Sequence, residues 1–265
     1  MALTLMTSHG PARRAASYGA LPTLQATVPP PAAAPDEVVW VYAITDARLP
    51  GQLPGLTGVG GEPVRAVTAA GLSAVVGSVD ARSFGEQALG RLLGGIEAIA
   101  RVGRAHHRVI ERAAAAGPVL PLRLATLHPD DSTVRALLAS RCAEFGDLLE
   151  KFRHRVEWGV RLYGRPPGPD PVRDPETVAE VESAADLIDV ALSDIAVAAR
   201  RQPGEDPQFA DRGEWLALSA AYLLDADHTA GFTATACGLT ARHPGLRVEL
   251  NGPWPPYSFV DGLEA

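Results

Sequence analysis

No apolar run in the 265 residues approaches the roughly 20 that a membrane-spanning helix needs. The charged fraction, 21%, is too high for a membrane protein. Arg13 and Arg14 are followed by polar residues and proline where a signal peptide needs an unbroken apolar segment. These absences predict a chain with no membrane span that stays in the cytoplasm. Cysteine is scarce: Cys142 and Cys237 lie far apart in helical patterns, which excludes a disulfide framework and a cysteine metal site. Both are expected to be small buried hydrophobes. A basic excess is missing too, since the net charge is −7, and this argues against a nucleic-acid partner.

Catalytic spacing is equally sparse. There is no HExxH, no P-loop and no GxSxG elbow, and neither cysteine has a histidine partner nearby in sequence. His106 and His107 are adjacent, so on a helix they point about 100° apart and do not chelate one metal together. His107 and Glu111 stand at i and i+4, but a metal needs a third ligand. A packing or helix-surface role is expected for the pair. "GLTGVGG" at 55–61 is glycine-rich, yet Glu62-Pro63 and a strand follow it, not the helix N-terminus that a phosphate cradle uses. It reads as a loop. Glu176, Glu180, Glu182, Asp186, Asp189 and Asp194 fit the solvated face of an amphipathic helix, with negative charge where the helix dipole favours it. Nothing in these patterns asks for a cofactor, a metal or a small-molecule substrate. A triad assembled only in space stays open.

What is present divides by charge. Residues 37–165 carry 16 basic and 13 acidic groups, whereas 166–265 carry 6 basic and 17 acidic. Two halves with such different surfaces can attract each other or different partners. Residues 1–36 are rich in alanine and proline and read as a disordered tail. A first α+β domain is expected over 37–155. It begins with "VVWVYAI" (38–44), a strand buried on both faces. Strands at 64–67 and 72–79, a helix over 84–116 and a strand broken by Pro121 follow. The next helix carries the stripe Val134, Leu138, Cys142, Phe145, Leu149 and Phe152.

A second domain is expected over 156–265. It opens with a strand at 156–163 that buries Val156, Trp158, Val160 and Leu162 and exposes Glu157, Arg161 and Tyr163. A stiff proline-rich linker near 164–175 leads to a helix over 176–200. A strand at "AAYLLDAD", a helix over 228–242 and a strand at 246–250 complete the set. The order β-α-β-α-β points to a ferredoxin-like, split βαβ sheet, with one strand unlocated except as a hairpin hidden in "WLALSA".

The chain closes on "GPWPPYSF" at 252–259. Prolines fix the backbone at little entropic cost, so Trp254, Tyr257 and Phe259 are held in place beside Pro255 and Pro256. Such a segment seals its own fold or docks on a partner, and the spacing favours neither. Pro253 to Pro256 also matches PxxP, a weak signal for an adaptor read by a proline-recognising domain.

"WVYAI", "PVLPLRLATLHPD", "RVEWGVRLYG", "AAYLLD" and "HPGLRVELNGPWPPYSF" occur in this order. Together they resemble the GvpF/GvpL family of gas vesicle accessory proteins over about 38–260. The sequence departs from the family pattern at Leu124-Ala125, where Phe-Gly is usual, at Asn251, where Thr is common, and in its 36-residue extension. The resemblance implies a two-domain α+β protein that works without catalysis. Its implied partners are the small hydrophobic shell protein and other gas vesicle accessory proteins. Trp254, Pro255, Pro256, Tyr257, Phe259, Arg123 and Trp158 are the candidates for closing the fold or touching a partner. The competing reading is an enzyme whose site is assembled in space from His106, His107 and Arg123.

Overall fold

The apolar run at 38–44 lies inside strand β1 (Glu37–Asp46), where Trp40 to Ile44 are fully buried. In this computed structural model, residues 36–46, 52–85, 88, 90, 95–165, 175–204 and 214–260 are described. The proposed tail, the leucines at 89, 92 and 93, and most of the proline-rich linker lie outside them.

β1 is the hub of a six-stranded antiparallel sheet. The other strands are β2 (Gln52–Thr57), β3 (Pro63–Ala69), β4 (Leu72–Asp80), β5 (Val119–Pro121) and β6 (Leu127–His128). The order is β2-β3-β4-β1-β5, with β6 also paired to β1. β2 falls in a stretch whose glycines and prolines read as loop. Pairing with β3 decides it, against weak local propensity. The proline-interrupted strand becomes two short edge pieces, as Pro121 requires.

Both faces of this sheet are covered. Trp40, Tyr42, Val75 and Val79 meet Val102, Val109 and Ile110 of helix α2 (Ile96–Ala114), which follows the short α1 (Ala81–Phe84). Val39, Val41, Ala74 and Val76 meet α3 (Asp131–Ser140) and α4 (Cys142–Lys151) on the other face. A bulge between Val41 and Ala43 shifts the alternation, so Ile44 joins the second cluster. α3 and α4 read as one helix in the sequence. The structure breaks it at Arg141, and Asp130 caps the first piece by accepting from the Thr133 N–H. The stripe from Val134 to Phe152 is buried apart from Cys142, which is exposed, as is Cys237. Neither cysteine is the buried hydrophobe expected, because each falls on the solvent side of its helix.

Residues 155–254 form a second antiparallel sheet ordered β10-β7-β9-β8. Its elements are β7 (Arg155–Gly164), α5 (Pro175–Ser193), β8 (Ala198–Arg201), β9 (Trp215–Asp225), α6 (Thr229–Thr240) and β10 (Leu246–Trp254). This is the split βαβ arrangement, and the chain is α+β. The unlocated strand is β8, at the end of the segment read as helix. Alanines there favour a helix locally, but the ladder to β9 wins. "WLALSA" is instead the first half of β9. α5 and α6 cover the face that carries Val160, Leu162, Tyr222 and Leu224.

The opposite face of this sheet is not solvated. Leu223, with Ala198 and Phe259 beside it, packs into the cluster under the first sheet. The layers therefore run α2, first sheet, α3 and α4, second sheet, α5 and α6, within one compact unit spanning residues 35–265. Among the described residues no helix is long and apolar enough to cross a membrane.

Candidate functional site

β10 pairs with β7 down to Asn251, opposite Gly159, and again at Trp254, opposite Glu157. Between them Gly252 adopts φ +151° and precedes a cis peptide bond to Pro253. A Cβ at residue 252 would lie 2.8 Å from the Glu157 carbonyl oxygen and from the Trp158 ring, so only glycine passes here. Pro255 and Pro256 then lead into a single turn over Tyr257–Phe259, where the Tyr257 N–H donates to the Pro255 carbonyl at 2.8 Å.

This turn carries the terminal aromatics onto α2. The Trp254 ring meets the His107 ring edge to face, with centroids 4.9 Å apart. The Tyr257 hydroxyl lies 2.6 Å from His107 Nδ1, and His107 Nε2 faces Glu111 Oε1 at 3.2 Å. Burial, with the Glu111 and Glu157 carboxylates nearby, pushes the Tyr257 pKa up. The hydroxyl therefore stays protonated.

Ser258 is held from the other side. Its N–H and its hydroxyl both donate to the Glu157 carboxylate at 2.7 Å, and Gln202 Nε2 donates to its Oγ at 2.9 Å. Glu157 is buried, and burial raises its pKa against the opposing pull of the Ser258 hydrogen bonds. Phe259 packs against the cluster under the first sheet, with the Arg200 guanidinium 5.8 Å from its ring centroid. The segment thus touches α2 in the first half and β7 and the end of β8 in the second.

Beside it lies an open cleft of about 730 Å³. Trp254, Pro255 and Pro256 form one wall; Glu111, Pro118 and Phe152 contribute to the others. Arg155 also lines it and pairs with Asp225 at 2.9 Å. The mixture of exposed backbone, apolar surface and compensated charge suits a polypeptide segment better than a small charged metabolite.

The remaining candidates scatter. Trp158 is half-buried at the edge of the second core, and its indole N–H is buried with no acceptor among the described residues. Arg123 is exposed, in a turn where the Thr126 N–H and hydroxyl donate to its carbonyl. His106 is buried: Trp40 Nε1 donates to its Nδ1 at 2.9 Å, and its Nε2 donates to the Leu122 carbonyl at 3.0 Å. Burial pushes its pKa down to about 4. With both nitrogens occupied, it is a packing residue. His107 is engaged by the terminal turn, and none of His106, His107 and Arg123 lines the cleft. Among the described residues no group of three or more His, Cys, Asp or Glu could hold a metal ion.

The glycine-rich loop is also spent. Glu62 accepts from the Gly60 N–H and from the Tyr42 hydroxyl, and that hydroxyl accepts from the Val59 N–H. A carboxylate of the chain occupies the place a phosphate would take. Glu157, Gln202 and Ser258 escaped the sequence reading. Alternation put Glu157 on a solvent face, and only the packing of the second sheet on the first buries it.

Comparison with known proteins bears on the same residues. A family model described as "Gas vesicle synthesis protein GvpL/GvpF" matches residues 38–168 and 172–261. Gas vesicle protein L of Streptomyces sp. (strain CB03234) is 36% identical over 252 residues, covering 85% of this chain and 93% of that protein. Gas vesicle protein F of the same organism is 28% identical over 187 residues, 59% of this chain and 76% of its own. The crystal structure of gas vesicle protein GvpF from Anabaena sp. PCC7120 superposes with a TM-score of 0.61 at 18% identity, over 84% of this chain and 96% of that one. GvpF from Microcystis aeruginosa gives the same TM-score at 17% identity.

Proposed function

Because this chain belongs to the gas vesicle synthesis protein GvpL/GvpF family, we propose that it serves gas vesicle assembly as a binding protein in the cytoplasm. It binds the small hydrophobic shell protein and other accessory proteins, and it transforms no substrate. The observation that carries this reading is the state of the histidines. His106 is buried with both nitrogens taken by Trp40 and Leu122, and His107 is held against Trp254 and Tyr257 by the terminal turn, which supports a structural role for both. The open cleft beside the terminal turn is the surface proposed to receive a partner segment, with Trp254 and Pro255 as its apolar wall. The greater likeness to protein L than to protein F of the same Streptomyces supports an L-type member.

The test is co-expression with the shell protein, followed by capture through a tag on either partner. Co-purification is expected, with loss of vesicles when this chain is deleted from the producing strain. Normal vesicles in the deletion strain, together with no captured vesicle protein, would overturn the proposal.

A further inference from the structure

β10 (Leu246–Trp254) is one edge of the second sheet, nine residues long against the four of β8 at the other edge. Among the described residues it forms a ladder with β7 alone. The open N–H and C=O groups of an edge template another strand, which is why edges are ordinarily blunted by proline, a bulge or a covering element. Here glycine and proline interrupt the ladder only after Asn251, at Gly252 and Pro253, so 246–251 stay regular.

The hydrogen-bond phase of this edge is fixed. The Arg165 N–H donates to the Gly245 carbonyl at 2.8 Å, at the mouth of the β7–β10 ladder. In an antiparallel pair such bonds recur at every second residue, so Arg247, Glu249 and Asn251 direct their backbone groups to β7. Those of Val248 and Leu250 point outwards, as does the Leu246 carbonyl, while the Leu246 N–H donates to the His243 carbonyl at 2.8 Å. Side chains alternate as well. Leu246, Val248 and Leu250 belong to the core under α5 and α6. Arg247 and Glu249 lie on the opposite face, where the Arg247 guanidinium sits 4.3 Å from the Tyr163 ring centroid.

The same edge of a second copy fits it in one register. A two-fold axis perpendicular to the sheet pairs residues of equal parity and keeps the two apolar faces on one side. Centred on Val248, it sets Arg247 opposite Glu249 of the second copy, and Glu249 opposite that copy's Arg247. Leu246 then faces Leu250 of the second copy on the core side. Centred on Glu249, it would oppose two glutamates and demand backbone groups that β7 already holds. Charge and hydrogen-bond phase thus select the same residue independently. Arg247 keeps its contact to Glu214 at 2.6 Å, and Glu249, whose side chain is 41% exposed, is open to a second arginine. We infer that β10 pairs antiparallel with β10 of a second copy, centred on Val248, joining the two four-stranded sheets into one across a closed dimer. Val248 exchanges both backbone hydrogen bonds with its counterpart, and the Leu250 N–H reaches the Leu246 carbonyl across the axis. The contact is one strand wide, so the dimer is weak and forms at high protein concentration.

Sedimentation of the full chain across a concentration series tests this, with amide hydrogen exchange as the readout of register. The wild type is expected to pass from its 27.8 kDa monomer to twice that mass as the concentration rises towards about 1 mM. The Val248 and Leu250 amides should gain protection over the same range. Val248→Pro removes an outward N–H that the monomer does not use, and Glu249→Arg sets arginine against arginine across the axis. Each is expected to abolish the dimer. Glu249→Arg alters a half-exposed side chain and should melt close to the wild type, so it decides the matter if the proline disturbs the strand. A wild type that stays monomeric at about 1 mM overturns the inference and leaves the edge to an extended segment of another protein. A dimer that Glu249→Arg leaves intact overturns it too, as does protection gained on another surface while Val248 and Leu250 exchange unchanged.

Discussion

The Tyr257 hydroxyl and His107 Nδ1 share a 2.6 Å hydrogen bond across 150 residues of sequence. One hydrogen bond thereby ties the last turn of the described chain to a helix on the far side of the first sheet. The ring contact between Trp254 and the same histidine doubles the tie. His107 is thus an anchor for the terminal segment, and several measurable consequences depend on that.

Trp254→Ala should lower stability by about 2 kcal/mol, less than a fully buried tryptophan because the ring is half-exposed. For a protein of this size that is roughly a 4–8 °C fall in melting temperature. A double-mutant cycle with His107→Ala should show a coupling of about 0.5–1.5 kcal/mol. Losses that merely add would mean the ring contact carries no energy.

Glu157 accepts two hydrogen bonds from Ser258, one of them from the backbone. Glu157→Ala should cost about 1–3 kcal/mol, because it leaves a partly buried N–H without an acceptor. Glu157→Gln keeps one acceptor oxygen and should cost less. Chemical denaturation of the two variants decides the matter, and an alanine variant as stable as the glutamine variant would remove the proposed role.

His106 gives a pH signature. Its folded pKa, about 4, lies below the ordinary 6.5 because burial disfavours the imidazolium. Between these values the unfolded chain binds the proton and the folded chain does not, so stability falls as pH drops from 6.5 towards 4. The contribution is about 3 kcal/mol across that window. Unfolding curves of the wild type and His106→Gln, measured at several pH values, should converge as the pH falls. Parallel curves would show that His106 does not titrate on unfolding.

Ala125 sits at φ +69°, in the left-handed region where a Cβ is costly. The resemblance drawn from the sequence placed a glycine here. Ala125→Gly should raise stability by about 1 kcal/mol, since relief of the clash outweighs the extra freedom of the unfolded chain. A fall in melting temperature would show that the alanine methyl is packed well enough to repay its strain.

Much of the architecture was written in local patterns. The all-apolar run at 38–44 announced a strand covered on both faces, because only a central strand tolerates such a stretch. Leu246, Val248 and Leu250 alternated as β10 does, and the helical stripe from Val134 to Phe152 marked the buried side of α3 and α4. The terminal prolines declared a stiff segment, since each fixes its own φ wherever the fold places it.

What only the tertiary structure decided is the fate of residues whose environment comes from a distant part of the chain. Local alanine content spoke for a helix at 198–201, yet a ladder to β9 made a strand. Alternation assigned Glu157 to water, yet the second sheet turns that face onto the first and hands its carboxylate to Ser258. The halves of the Tyr257–His107 bond carry no mark of each other in sequence. Helix and strand periods are read within a few residues, whereas burial and pairing across 150 residues exist only after the layers have stacked.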